Sequence, residues 1–151
     1  MKILFLINDA PYGTEKFYNA CRLAMTIQKE HTAVEVNVFL MADSFTGALV
    51  NQNTPQGYYN IERLLKAIIN KGGQVKLCGG CIDARGVAAL QFLEGCTRSN
   101  MSELAQWSVE ADKVFHSELS KHFHKWYCRT YAAISIHSIL FDLKYILFKH
   151  I

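Results

Sequence analysis

The sequence predicts a three-layer α/β/α sandwich built on a mostly parallel sheet of about five strands. Two observations carry that expectation. Short strand-like runs alternate with stretches of helical spacing between residues 1 and 115. The first run, Ile3-Leu4-Phe5-Leu6-Ile7, is apolar at every position, as for a parallel strand covered on both faces.

The elements follow in chain order. Ile3–Ile7 is the first strand. The turn Asn8-Asp9-Ala10-Pro11-Tyr12-Gly13-Thr14 follows it, with Thr14 as the expected N-cap of a helix whose Phe17, Ala20, Cys21, Ala24 and Ile27 recur at helical spacing. Val34–Leu40 alternates as a second strand. Met41 to Gly57 is a long polar loop, a length usually reserved for function in compact domains. Tyr58, Ile61, Leu64, Leu65, Ile68 and Ile69 mark a second helix, ended by Gly72-Gly73. Gln74–Leu77 is a third strand that runs into Cys78-Gly79-Gly80-Cys81. Ile82, Val87, Leu90 and Leu93 predict a further helix, weakened by Gly86. A short strand near Gly95-Cys96-Thr97, a helix over 102–111 with Leu104 and Trp107 inward, and a last strand Lys113-Val114-Phe115 complete the pattern.

Composition divides the chain at residue 116. The 151 residues are 50% hydrophobic and 19% charged, which excludes a disordered protein. Residues 1–115 hold 11 basic and 11 acidic side chains, whereas residues 116–151 hold five basic and two acidic ones and carry the whole net charge of +3. The body is therefore neutral, and its charge does not point to nucleic acid. The expected organisation is one α/β domain, 1–115, followed by a basic, aromatic extension, 116–151, helical or aberrant. Tyr131 to Phe148 is apolar nearly all round, but it is shorter than the roughly 20 residues a span needs and contains Asp142 and Lys144, so no membrane association is expected. The tail is rich in residue types with AT-rich codons, which fits a read-through or frame-shifted end. The opening apolar run is too short for a secretory signal, and five cysteines is an odd count, so a reducing cytoplasm is expected.

Chemistry concentrates at Cys78-Gly79-Gly80-Cys81. In open parallel sheets, ligands gather at the carboxyl ends of the strands. A cysteine there, at the start of a helix, faces unpaired N–H groups that favour the nucleophilic thiolate. Gly79 and Gly80 let the backbone crowd around a sulfur, and Arg85 adds positive charge. The bland alternative is a glycine-rich turn with inert thiols. A thioredoxin-like pair lacks its preceding Trp and its later proline, since Pro11 and Pro55 both come first. A zinc site lacks a second cysteine pair, Cys96 and Cys128 being single, and His116, His122 and His124 read as solvated tail residues, so no metal is expected. No phosphate-loop signature is present. Pro11 and Tyr12, at the end of the first strand, line the same cleft or simply shape and pack a turn. Cys21 reads as core, Cys96 as buried in a strand, and of Tyr58 and Tyr59 one packs while the other faces the loop.

Four segments together resemble the DsrE/DsrF-like family, over about residues 1–115. They are the opening strand with Asn8-Asp9-Ala10-Pro11-Tyr12, Asn60-Ile61-Glu62-Arg63-Leu64-Leu65, Cys78-Gly79-Gly80-Cys81-Ile82-Asp83-Ala84-Arg85-Gly86, and Met101-Ser102-Glu103-Leu104-Ala105-Gln106-Trp107. The third is the most specific and looks closest to the YchN-like branch. The resemblance implies the α/β/α sandwich, and sulfane sulfur held as a persulfide on the cysteine seven residues before Arg-Gly, here Cys78. Cys81, without a counterpart in some relay members, stands as a resolving thiol, an alternative acceptor or a loop residue. The resemblance further implies sulfur donor and acceptor proteins or small thiols as partners, no cofactor, and a homo-oligomer (trimer or hexamer) or a subunit of a hetero-complex. Relatives end near the last strand, so residues 116–151 depart from the family. The expected function is that of a sulfur carrier resembling a sulfurtransferase. The alternatives are a non-catalytic oligomeric binder of a small ligand or partner, and a thiol/disulfide switch of Cys78 and Cys81.

Overall fold

A computed structural model describes residues 1–117 of the chain. Five strands, β1 (Lys2–Ile7), β2 (Glu35–Leu40), β3 (Gln74–Cys78), β4 (Cys96–Ser99) and β5 (Lys113–His116), form one sheet in the order β4-β3-β2-β1-β5. All four pairings are parallel. Helices α1 (Lys16–Glu30), α2 (Ile61–Asn70), α3 (Gly79–Ala84) and α4 (Met101–Glu110) lie between the strands. The expected sandwich is therefore the observed one, and the expected extension falls outside the described residues apart from its first two.

The two faces of the sheet are covered unequally. Ile3, Phe5 and Ile7 of β1, Val36, Val38 and Leu40 of β2, and Val75 and Leu77 of β3 share one core with Phe17, Ala20, Cys21 and Ala24 of α1 and Ile61, Leu65 and Ile68 of α2. The alternate residues Leu4 and Phe39 pack instead with Leu104 of α4, joined by Trp107, Leu6, Met41 and Cys78. Alternation along the strands sends successive side chains to opposite faces, which is why neighbours in sequence belong to different cores. On the second face Trp107 meets Phe39 edge-on at 6.2 Å, and Lys76 Nζ lies 4.4 Å above the indole while pairing with Glu103 at 3.1 Å.

Several local expectations change. Thr14 is not a cap: α1 starts at Lys16 after Glu15, with no side-chain capping bond. Tyr58 and Tyr59 precede α2, which Asn60 caps by accepting the Arg63 N–H at 3.0 Å, leaving Tyr58 and Tyr59 stacked at 4.5 Å. The stretch after Met41 begins as a 3-10 helix, Ala42–Ala48, whose Phe45 and Ala48 are buried. Their three-residue spacing matches the 3-10 period rather than a strand or α-helix pattern. The helix expected to reach Leu93 stops at Ala84, because Gly86 adopts φ +65°, and Phe92 forms an antiparallel bridge to Leu49. His116 belongs to β5, half-buried, with Nε2 2.8 Å from Asn8 Nδ2, so it is not a solvated tail residue.

Candidate functional site: a cysteine pair at the carboxyl end of β3

Cys78 is both the last residue of β3 and the N-cap of α3. Leu77, its neighbour, is fixed in the larger core, so strand alternation turns Cys78 toward the α4 side. The chain then bends into α3, and the Cys81 N–H donates to Cys78 Sγ at 3.3 Å, the bond that a hydroxyl or carboxylate makes at an ordinary N-cap. The Cys81 thiol also donates to Cys78 Sγ, with the two sulfurs 2.7 Å apart. Both cysteines are free and half-buried. A third donor reaches the pair from elsewhere in the chain: the Ala42 N–H points at Cys81 Sγ at 3.3 Å. Ala42 holds φ +46°, uncommon for a residue with a Cβ. The donors form a directed series from Ala42 to Cys81 to Cys78, and Cys78 Sγ is its final acceptor.

Burial pushes the Cys81 thiol up from its ordinary value and the hydrogen bond to Cys78 adds to this, while the Ala42 N–H and the charge of Arg85 pull the other way without prevailing. Arg85 donates to Asp43 Oδ1 at 2.7 Å and to the Cys81 carbonyl at 3.1 Å, and its guanidinium lies 5.6 Å from the Phe45 ring centroid. It therefore locks the far end of α3 to the 3-10 helix that carries Ala42. Asp83 of α3 pairs in turn with Arg98 of β4. The short helix bearing Cys81 is thus tied on two sides.

The two glycines differ. A Cβ on Gly79 would stand 3.0 Å from the Ser99 carbonyl oxygen and 2.8 Å from Arg98 Nε, so this position must be bare for α3 to lie against β4. A Cβ on Gly80 would meet nothing within 4 Å. Gly80 is exposed and forms the open side of the loop.

Of the residues singled out in the sequence, Cys78, Gly79, Gly80, Cys81 and Arg85 come together. Pro11 is buried, and Tyr12 borders the same larger core as Cys81 but makes its hydrogen bonds and ring contacts elsewhere. Its hydroxyl donates to Gln52 Oε1 at 2.6 Å and accepts the Ile61 N–H at 3.3 Å, and its ring stacks on Tyr59 at 5.9 Å. Among the described residues no hydrogen bond or ring contact joins Tyr12 to the cysteine pair. Cys21 is 1% exposed in the larger core, and burial pushes its thiol far up. Cys96, in β4, is pushed up to about 12 by burial. Among the described residues neither has the donors that Cys78 has. The residues not anticipated are Ala42 and Asp43. A carboxylate just past the end of β2, in a long segment beside β3, is the only signal that marks them in the sequence.

The strand order reverses at β1 and β5, the switch point of the sheet. There Ser117 Oγ accepts the Asn8 N–H at 3.1 Å and donates to Asp9 Oδ2 at 2.8 Å, and Lys16 Nζ reaches Asp9 Oδ1 at 3.0 Å. Burial raises the Asp9 carboxyl, but these two donors outweigh it and hold it below the ordinary carboxylate range. Among the described residues there is no group of three or more His, Cys, Asp or Glu that could hold a metal ion, and no helix is long and apolar enough to cross a membrane.

A parallel α/β domain with a paired thiol at one strand end is the class that fold and site define. Comparison with known proteins makes it specific: the DsrE/DsrF-like family model matches residues 1–116, and the chain belongs to that family. Protein YchN of Escherichia coli is 38% identical over 113 residues, 75% of this chain and 96% of that one. The uncharacterized protein MJ0989 of Methanocaldococcus jannaschii is 39% identical over 114 residues, 76% of this chain and 97% of its own. The crystal structure of ychN protein from E. coli superposes with a TM-score of 0.73 at 37% identity, covering 77% of this chain and 98% of that one. A conserved protein from Bacteroides thetaiotaomicron, at 17% identity and TM-score 0.57, shares the fold.

Proposed function

We propose that the protein is a sulfur carrier that accepts sulfane sulfur on Cys78 as a persulfide and passes it to an acceptor thiol. Membership of the DsrE/DsrF-like family supports a role related to sulfur relay. The observation that carries the finer reading is the direction of the donors: the Cys81 N–H and S–H both end on Cys78 Sγ. Two donors from one residue fix the position of the Cys78 sulfur at the loop, and the thiolate is the nucleophile in exchange at sulfur. Loading is attack of the Cys78 thiolate on the outer sulfur of a donor persulfide, which expels the donor thiolate. Unloading is the same step with an acceptor thiolate as nucleophile, so no cofactor is needed. The open Gly80 side gives both partners, proteins or small thiols, an approach to the loop. The same reading places the protein in a reducing cytoplasm, working as a homo-oligomer or within a hetero-complex.

The test is intact mass after incubation with a low-molecular-weight persulfide and removal of excess donor. One added sulfur, absent in Cys78→Ser and retained in Cys21→Ser and Cys96→Ser, is expected. A wild type whose thiols neither gain sulfur nor react with iodoacetamide refutes the carrier reading in favour of a non-catalytic binder.

A further inference from the structure

We propose that Cys81 gives the protein a second activity, release of the carried sulfur as sulfide with closure of a Cys78–Cys81 disulfide. This rests on the persulfide reading of Cys78 and names what happens when no acceptor arrives. The argument is one of position. A persulfide on Cys78 has an inner sulfur, the residue's own Sγ, and an outer, transferable one. Cys81 Sγ lies 2.7 Å from Cys78 Sγ, so the atom within its reach is the inner sulfur. Which sulfur is attacked decides the product. Attack on the outer sulfur hands it over and restores Cys78, whereas attack on the inner one expels hydrosulfide.

The step balances within the chain. The Cys81 thiol gives up its proton and its sulfur bonds to Cys78 Sγ. The bond between the inner and outer sulfurs breaks, and its electron pair leaves with the outer sulfur. That sulfur is reduced from the sulfane to the sulfide level and takes the proton, leaving as hydrosulfide or hydrogen sulfide. The two cysteine sulfurs are oxidised to the disulfide, and no outside oxidant enters.

The surroundings set the pace of this step. The Ala42 N–H at 3.3 Å and the Arg85 charge stabilise the attacking Cys81 thiolate, against burial and the neighbouring sulfur, which hold it protonated. Discharge is therefore slow near neutrality and quickens as pH rises. A loaded Cys78 has time to meet an acceptor, and an unclaimed sulfur leaves as sulfide. Reopening the disulfide takes two electrons from a cellular dithiol.

The experiment loads wild type, Cys81→Ser and Cys81→Ala with a small persulfide, removes the excess by gel filtration, and follows mass and free sulfide over time without added thiol. Expected for wild type is loss of the added sulfur, appearance of a species two hydrogens lighter than the reduced chain, and one sulfide per chain. Both variants are expected to keep the sulfur about tenfold longer or more and to release no stoichiometric sulfide. The inference is overturned if wild type keeps its sulfur as long as Cys81→Ser, or if peptide mapping finds the sulfur moved intact to Cys81. If wild type and both variants gain no sulfur at all, the carrier reading has failed and takes this inference with it. Loaded variants beside a wild type that does not discharge overturn the second activity alone.

Discussion

Replacing each glycine of the loop by alanine separates the residue that seats α3 from the residue that leaves it open. In Gly79→Ala the new methyl meets the Ser99 carbonyl oxygen at 3.0 Å and Arg98 Nε at 2.8 Å. The arginine end is restrained by its pairing with Asp83, and the Ser99 carbonyl is backbone of β4, held in register with Cys78. Relief requires α3 or β4 to move by a few tenths of an ångström. Overpacking of this kind costs ~1–3 kcal/mol, of which up to ~1 kcal/mol is returned by the better helix propensity of alanine. Taken at the middle of both ranges, the expected net loss is ~1–2 kcal/mol, at about 2–8 °C in Tm for each kcal/mol. In Gly80→Ala the methyl meets nothing within 4 Å, so only the helix gain remains and stability holds or rises by up to ~1 kcal/mol. Urea midpoints of the two variants measure this. The rate of Cys78 alkylation reads the same displacement at the sulfur and changes in Gly79→Ala alone. A Gly79→Ala protein indistinguishable from wild type, or a Gly80→Ala protein that is the less stable of the two, refutes the steric argument.

Three further outcomes are expected. Leu104→Ala removes the one fully inward residue of α4 and costs ~2–5 kcal/mol by denaturant unfolding, with faster Cys78 alkylation because Cys78 borders the same core. Arg85→Gln changes stability by no more than ~1 kcal/mol, since its ion pair with Asp43 is largely exposed, but slows Cys81 alkylation at pH 8–9 (about one unit around the reference cysteine value) by removing a charge that favours its thiolate. Asp9→Asn tests the switch-point network through pH. The folded Asp9 carboxyl lies below its unfolded value of about 4, so its contribution is complete above that value and lost as pH falls through the folded one. Wild type is therefore more stable than Asp9→Asn at pH 7, and urea midpoints measured down to pH 3, about one unit below the unfolded value, show the gap closing.

The strands were legible because a two-residue period survives burial. Ile3–Ile7 is apolar on both faces and Val36–Leu40 on one, with Asn37 interrupting the other, and both turn out to feed two cores. Cys78 was legible as a strand-end residue for the same reason, since Val75 and Leu77 fix which way it points. What sequence could not give was the company it keeps. Ala42 and Asp43 reach Cys81 and Arg85 across 39 and 42 residues, and no local pattern encodes a backbone N–H aimed across that distance. Tyr12 could be read from the chain either as lining the cleft or as packing a turn. It follows a strand end as Cys78 does, but its ring is claimed by Tyr59 and its hydroxyl by Gln52. The expected helix to Leu93 failed because apolar spacing continues past Gly86, while the backbone, at φ +65° there, does not.

The position of the pair relative to the two cores bears on how the two sulfurs stay half-exposed without loosening the fold. Cys78 packs against the core under α4, and Cys81 against the larger core under α1 and α2. The sulfurs meet at the rim of the sheet, one from each side, where neither layer closes over them. A pair lying within one core would be buried as Cys21 is, with its thiol pushed far up and no path for a partner. A pair on a free loop would lack the Ala42 and Cys81 N–H donors that set its polarity. Anchoring each cysteine in a different layer gives half-burial with fixed direction. Joining or parting the two sulfurs then changes a contact between layers at the rim and leaves β2 and β1, at the centre of the sheet, untouched. Hydrogen exchange on oxidised and reduced protein is accordingly expected to differ at residues 41–44 and 78–85, while Leu4–Ile7 and Val36–Leu40 stay equally protected. Exchange that changes first in those central strands would show that the pair is coupled to the core itself.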